Sequence, residues 1–187
     1  MADLVFSHEC IILDACCVIN LYASKQIEDI LVAIPKSVCI AAYIKDEEIL
    51  KTYDISSNST EDIDLQSLID QSVLILVDLN LETEAETRVS FATVLDDGEA
   101  VTGAIALHRN WAIATDDKAA IRVFGREAPH LQIITTPELI KYWVDKTEPP
   151  LEVVNQCLQN ITVGASYRPS KKHPLYDWWQ NCFTIDG

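Results

Sequence analysis

Four acidic residues stand where side chains seldom stand for packing alone. Asp14 follows the apolar run Cys10 to Leu13, and Asp116 follows Trp111 to Thr115, with Asp117 next to it. Glu99 lies just after an Asp96-Asp97-Gly98 break and opens an alanine-rich stretch, and Glu47 lies in YIKDEEIL. Carboxylates are hard oxygen donors of the kind that Mg²⁺ and Mn²⁺ prefer. Several of them around one or two ions can activate a water, neutralise a phosphate and stabilise a leaving oxygen, which are the three needs of phosphodiester hydrolysis. Without metal such a group repels itself, and some members should titrate above the usual carboxylate range.

Each residue also has a purely structural role open to it. An aspartate after a strand can cap the helix that follows. Glu99 in a first helical turn gains from the helix dipole by under about 1 kcal/mol. Glu47 fits the solvated face of a helix equally well. Two aspartates ending two strands of one sheet exceed what capping requires, because ligands of open parallel sheets sit beyond the carboxyl ends of strands, near the switch in strand order.

The elements that must position these groups are readable as apolar runs. Cys10 to Leu13, Val38 to Ala42, Val73 to Val77, Trp111 to Thr115 and Leu131 to Ile134 have the length of buried strands. Helical spacing marks Val18 to Tyr22, Ile27 to Ile34, Ile44 to Tyr53 and Glu61 to Gln71. Glu82 to Asn110 reads as two helices broken near Asp96, and Lys118 to Arg126 follows the fourth strand. Thr136-Pro137-Glu138 is a helix start with Thr136 as cap and proline at the first position. The polar stretch Asp54 to Glu61 reads as a loop. Strand–helix alternation predicts an α/β fold with a mostly parallel, five-stranded sheet covered on both faces.

Composition narrows the class. A chain of 187 residues with 49% hydrophobic residues and five glycines is globular and long enough to bury a core. No apolar run approaches the roughly 20 residues that cross a bilayer. The N-terminal residues lack the pattern of a secretory signal, so a cytoplasmic protein is expected. Six cysteines, none spaced as C-x-x-C and most among apolar neighbours, read as small buried thiols in a reducing compartment, with no zinc spacing. A net charge of −15 argues against broad electrostatic binding of nucleic acid, though a small metal site can still face one phosphate.

Three pieces, in this order, resemble the PIN-domain family: IILDACCVINL around Asp14, YIKDEEIL around Glu47, and DDGEAVTGAIALHRNWAIATDDKAAI around Glu99 and Asp116. The similarity spans roughly residues 9 to 145, and the third piece is the most specific. The resemblance implies a Rossmann-like three-layer α/β/α sandwich and a ribonuclease dependent on Mg²⁺ or Mn²⁺. It implies an acidic residue ending strand one (Asp14) and another opening the helix after strand two (Glu47, or Glu48 if the register is one off). A third opens the helix before strand four (Glu99), and a fourth follows that strand (Asp116 or Asp117). Many of the family are toxins of toxin–antitoxin pairs. RNA, single-stranded or structured, is therefore the implied substrate, and an antitoxin protein and a homodimer are implied partners. Where the family often has Ser or Thr two residues after the first aspartate, this chain has Cys16. A non-catalytic PIN-like module binding RNA or protein is the alternative. An aspartyl phosphatase is disfavoured, because that chemistry usually wants a second Asp where Cys16 stands.

The chain divides into a nuclease-like domain, residues 1 to 148, and a C-terminal appendage, 149 to 187, packing on it. One stretch of the appendage reverses the charge of the chain. Ser166 to Phe183 holds Arg168, Lys171, Lys172 and His173 against one acid, Asp177, among Tyr167, Tyr176, Trp178, Trp179 and Phe183. Either the aromatics dock the tail while the basic residues meet acidic surface, or Arg168, Lys171 and Lys172 guide an RNA backbone while an aromatic stacks on a base.

Overall fold

The computed structural model describes residues 4–48 and 50–183. In chain order its elements are β1 (Cys10–Leu13), α1 (Ala15–Ala23), α2 (Ile27–Ala33), β2 (Ser37–Ala41), α3 (Ala42–Glu47), β3 (Lys51–Asp54) and β4 (Ser59–Asp62). There follow α4 (Gln66–Asp70), β5 (Ile75–Val77), α5 (Ala85–Phe91), α6 (Asp97–Arg109), β6 (Ala112–Ala114) and α7 (Lys118–Glu127). The last elements are β7 (Ile133–Ile134), α8 (Thr136–Thr147), α9 (Leu151–Gly164) and α10 (Tyr176–Phe183).

Five strands form one all-parallel sheet in the order β5-β2-β1-β6-β7. Every residue of β1 is buried and β6 is buried throughout, as expected of central strands covered on both faces. Helices α1, α2, α8 and α9 pack against one another, while α6 packs with α3 and α5 and lies on β1 and β2. The fold is thus a Rossmann-like three-layer sandwich. The chain runs outward from β1 to β2 and β5, then returns to β6 on the other side of β1. The reversal in strand order falls between β1 and β6, and ligands of open α/β sheets bind at the carboxyl ends of the strands beside such a reversal.

The interior is continuous. Ile11, Ile12, Leu13, Ile40, Ile105 and Ile113 are fully buried at its centre, and Val154, Leu158, Ile161 and Trp179 of α9 and α10 belong to the same cluster. The C-terminal segment packs on α1, β3 and α9. Helix α6 approaches closely through Gly103, whose missing Cβ makes room for the ring of Phe124. All six cysteines are free and five are buried; the thiols of Cys10 and Cys39 meet across β1 and β2 at 2.9 Å.

Three expected elements and one helix cap differ. The helix expected over Ile44 to Tyr53 stops at Glu47, and the polar stretch after it is a β-hairpin in which Thr52 pairs with Glu61 and Asp54 with Ser59. Tertiary contacts select this: buried Thr52 donates to the Gly164 carbonyl at 3.0 Å, and β3 packs on α1 and α9. The tip is closed by Asn58 in the left-handed region (φ 53°) and by the Ser57 amide donating to Asp54 Oδ1 at 2.8 Å. With β4 ending at Asp62, the helix expected from Glu61 shrinks to α4. The α8 cap is Thr135 rather than Thr136: Glu138 reaches back to the Thr135 amide at 2.8 Å, which places Pro137 at the second helical position.

Candidate metal centre

Asp14 sits where β1 ends, 4% exposed, and its carboxylate is held from three directions. The Ala15 amide donates to Oδ1 at 2.9 Å, while Thr115 Oγ1 at 2.8 Å and Cys16 Sγ at 3.2 Å donate to Oδ2. Thr115 directly follows β6, so the strands on either side of the topological switch are joined at the carboxylate itself. Burial raises the pKa of Asp14; these three hydrogen bonds oppose the rise, and the nearby charge of Asp96 adds to it.

Across from Asp14 lies the start of α6, a capping box. Glu99 donates its amide to Asp96 Oδ1 at 2.8 Å and its own Oε2 accepts from the Asp96 amide at 3.3 Å. The Glu99 carboxyl is pushed up to about 7, first by burial and then by the charges of Asp96, Asp117 and Asp14. Glu48, the residue closing α3, reaches the same place. Its carboxylate lies against Gly98, in the space a Cβ there would fill. Burial, then Asp96, then Asp14, push Glu48 up to about 7 as well.

Asp14, Glu48, Asp96, Glu99 and Asp117 therefore form a group of mutually repelling carboxylates beside that reversal in strand order. Glu47 does not join it; the helical turn sends Glu47 to the exposed side of α3 and Glu48 inward. The two aspartates after β6 separate. Asp117 caps α7, accepting from the Ala119 amide at 2.6 Å and the Ala120 amide at 2.9 Å, and its charge is felt at Glu99. Asp116 turns towards α1, α8 and the tail. It accepts from Asn20 Nδ2 at 2.8 Å, the Thr136 amide at 3.1 Å, the Thr136 hydroxyl and the Tyr167 hydroxyl at 2.8 Å. Burial and the Asp116 carboxylate hold the Tyr167 phenol well above its ordinary pKa.

One member of the group, Asp96, and the Thr115 hydroxyl that holds Asp14 were not singled out from sequence. The D-x-x-E capping spacing before an alanine-rich helix was the available signal for Asp96; nothing local marks Thr115, whose role depends on β1 and β6 being neighbours. The members are oxygen donors of the kind a hard cation prefers, they form no ion pair among the described residues, and burial and neighbouring charge disfavour their charged forms. No three of them bring their ligand atoms within 4.8 Å of one another, as Cys16, Cys17 and Asp116 do. Arg168, Lys171 and Lys172 lie exposed in the connection between α9 and α10, with Arg168 5.8 Å from the Phe183 ring centre. Trp179 is fully buried and Tyr167 bonds Asp116, so these two aromatics dock the segment on the domain. Among the described residues no helix is long and apolar enough to cross a membrane. Compared with protein-family models and with curated proteins, the chain finds no match.

Proposed function

We propose that this protein is a divalent-metal-dependent ribonuclease that hydrolyses RNA phosphodiester bonds at the carboxylate group. The observation that carries the reading is the approach of Asp14, Glu48, Asp96, Glu99 and Asp117 to one another at the β1–β6 switch, with Glu48 and Glu99 both pushed up to about 7 by burial and by the charges of Asp96 and Asp14. It agrees with the PIN-domain resemblance of the motifs that supply these residues. Mg²⁺ or Mn²⁺, held by Asp14, Glu48, Glu99 and Asp117, would supply an activated water and neutralise the phosphate. Thr115 and Cys16 orient the Asp14 carboxylate, and Asp96 fixes the backbone on which Glu99 stands. Arg168, Lys171 and Lys172 are the candidates for guiding the RNA backbone.

In the same proposal the protein acts in the cytoplasm on single-stranded or structured RNA, as the toxin of a toxin–antitoxin pair, with an antitoxin and a second copy of itself as partners. One observation favours the alternative of a non-catalytic RNA- or protein-binding module: Asp14 is almost fully buried and both its oxygens already accept hydrogen bonds. Incubation of the purified protein with labelled RNA separates the two. The ribonuclease cleaves with Mn²⁺ or Mg²⁺, stops with a chelator and resumes when metal is restored; the binding module retains RNA or protein without cleaving RNA under any of these conditions.

A further inference from the structure

Beside the carboxylate group, Cys16, Cys17 and Asp116 bring their ligand atoms within 4.8 Å of one another. We propose that these three side chains form a site for one thiophilic divalent cation of the Zn²⁺ or Cd²⁺ type, distinct from the hard-metal centre. Two thiols and one carboxylate are a soft donor set, which selects zinc-like ions over Mg²⁺. The spacing suits it. Bonds of about 2.3 Å to sulfur and about 2.0–2.2 Å to oxygen place tetrahedral ligand atoms about 3.6 Å apart. Cys17 Sγ lies 3.6 Å from Asp116 Oδ2.

The surroundings are those of a ligand held in place. Asn20, Thr136 and Tyr167 fix the Asp116 carboxylate by four hydrogen bonds. Such outer partners orient a metal-binding carboxylate and set its basicity. The thiol of Cys17 donates to Asp116, so a cation would replace that proton and keep Oδ2 satisfied. Binding releases one proton from each cysteine to solvent, leaving two thiolates on the ion; Asp14 Oδ2 then loses the Cys16 hydrogen bond and keeps that of Thr115. Cys17 is fully buried, and entry is through a pocket of about 270 Å³ lined by Cys16, Asp116, Asp117, Asn20 and Tyr167. Three protein ligands would leave a fourth position on the ion for water. Metal-binding spacing is invisible in the sequence here because Asp116 lies 99 residues from Cys17.

The test is titration of the reduced, metal-free full-length protein with Co²⁺, read by absorption. One equivalent should bind with the charge-transfer absorption of thiolate–cobalt bonds, be displaced by an equivalent of Zn²⁺ and resist excess Mg²⁺. Cys16→Ser and Cys17→Ser should each remove the absorption and weaken binding by more than about 100-fold, since losing even an outer partner costs about 10–100-fold. Glu99→Gln should retain it, which keeps this site's failure separate from that of the hard-metal centre. Should Cys17→Ser fail to fold, Cys16→Ser at its half-buried position decides alone. Absence of the absorption in the unaltered protein, its persistence in Cys16→Ser, or its loss in Glu99→Gln overturns the proposal.

Discussion

The carboxylate of Glu48 lies against Gly98, so the residue closing α3 touches the first turn of α6. Only a residue without a Cβ leaves that space. Gly98→Ala should push Glu48 aside while keeping the fold, because the displaced group is the free end of a flexible side chain. Mn²⁺ affinity should fall by about 10–100-fold, the usual effect of disturbing a ligand's placement. Calorimetric titration measures it, and unchanged affinity would remove Glu48 from the centre.

The metal-free protein should lose stability as pH rises. Burial and neighbouring carboxylates push Glu48 and Glu99 up to about 7 in the folded state, from an ordinary value of 4.5. Between those values the folded chain holds protons that the unfolded chain has released, so stability falls with rising pH. The contribution of these groups is fully present below about pH 4.5 and is lost as pH passes through about 7. With chelator present, the melting temperature should decline from pH 5 to pH 8, and Glu48→Gln with Glu99→Gln should flatten that decline. Mn²⁺ at 100 times its dissociation constant adds about 2.7 kcal/mol and should offset it. A melting temperature that climbs from pH 5 to pH 8 in both proteins contradicts the picture.

Stability away from the centre rests partly on one ion pair. Glu84 is 2% exposed and accepts from Arg109 Nε at 2.7 Å, a second Arg109 nitrogen at 3.0 Å and the Asn80 amide at 2.7 Å. Arg109 in turn lies over the Trp111 ring at 5.1 Å. Arg109→Leu strands a buried carboxylate and should cost about 3–5 kcal/mol. Chemical denaturation should show that loss; a change below about 1 kcal/mol would mean water solvates Glu84 freely.

The tail separates into docking and guiding groups. Trp179→Ala should destabilise by about 3–5 kcal/mol, as deletion of a fully buried aromatic does. Changing Arg168, Lys171 and Lys172 together to Ala should leave the melting temperature in place, weaken RNA binding and make its salt dependence shallower. Intact RNA affinity with a lowered melting temperature would assign all three to docking.

Much of the architecture was legible because it is written in apolar runs. Each of the five strands was such a run, and the break before α6 was visible in Asp96-Asp97-Gly98. The β3–β4 hairpin was not, since its strands are polar and their pairing is stabilised by α1 and α9. At the centre, Asp14 and Glu99 were legible from strand end and helix start. Glu48 against Glu47 and Asp117 against Asp116 were questions of one residue's rotation, which spacing leaves open; in the structure Glu48 and Asp117 are the ones beside the other carboxylates. Asp116 drew attention for its place after β6, yet its hydrogen bonds turn it to Asn20, Thr136 and Tyr167.

The most direct test is Mn²⁺-dependent cleavage of single-stranded RNA, compared among the unaltered protein, Asp14→Asn, Asp117→Asn and Asp116→Asn under identical conditions. The unaltered protein should cleave. Asp14→Asn and Asp117→Asn should each lose more than about 100-fold in rate while remaining folded. Asp116→Asn should retain most of the rate, with a lowered melting temperature. Absence of cleavage by the unaltered protein, or cleavage undiminished in Asp14→Asn, would contradict the assignment of a nuclease to this centre.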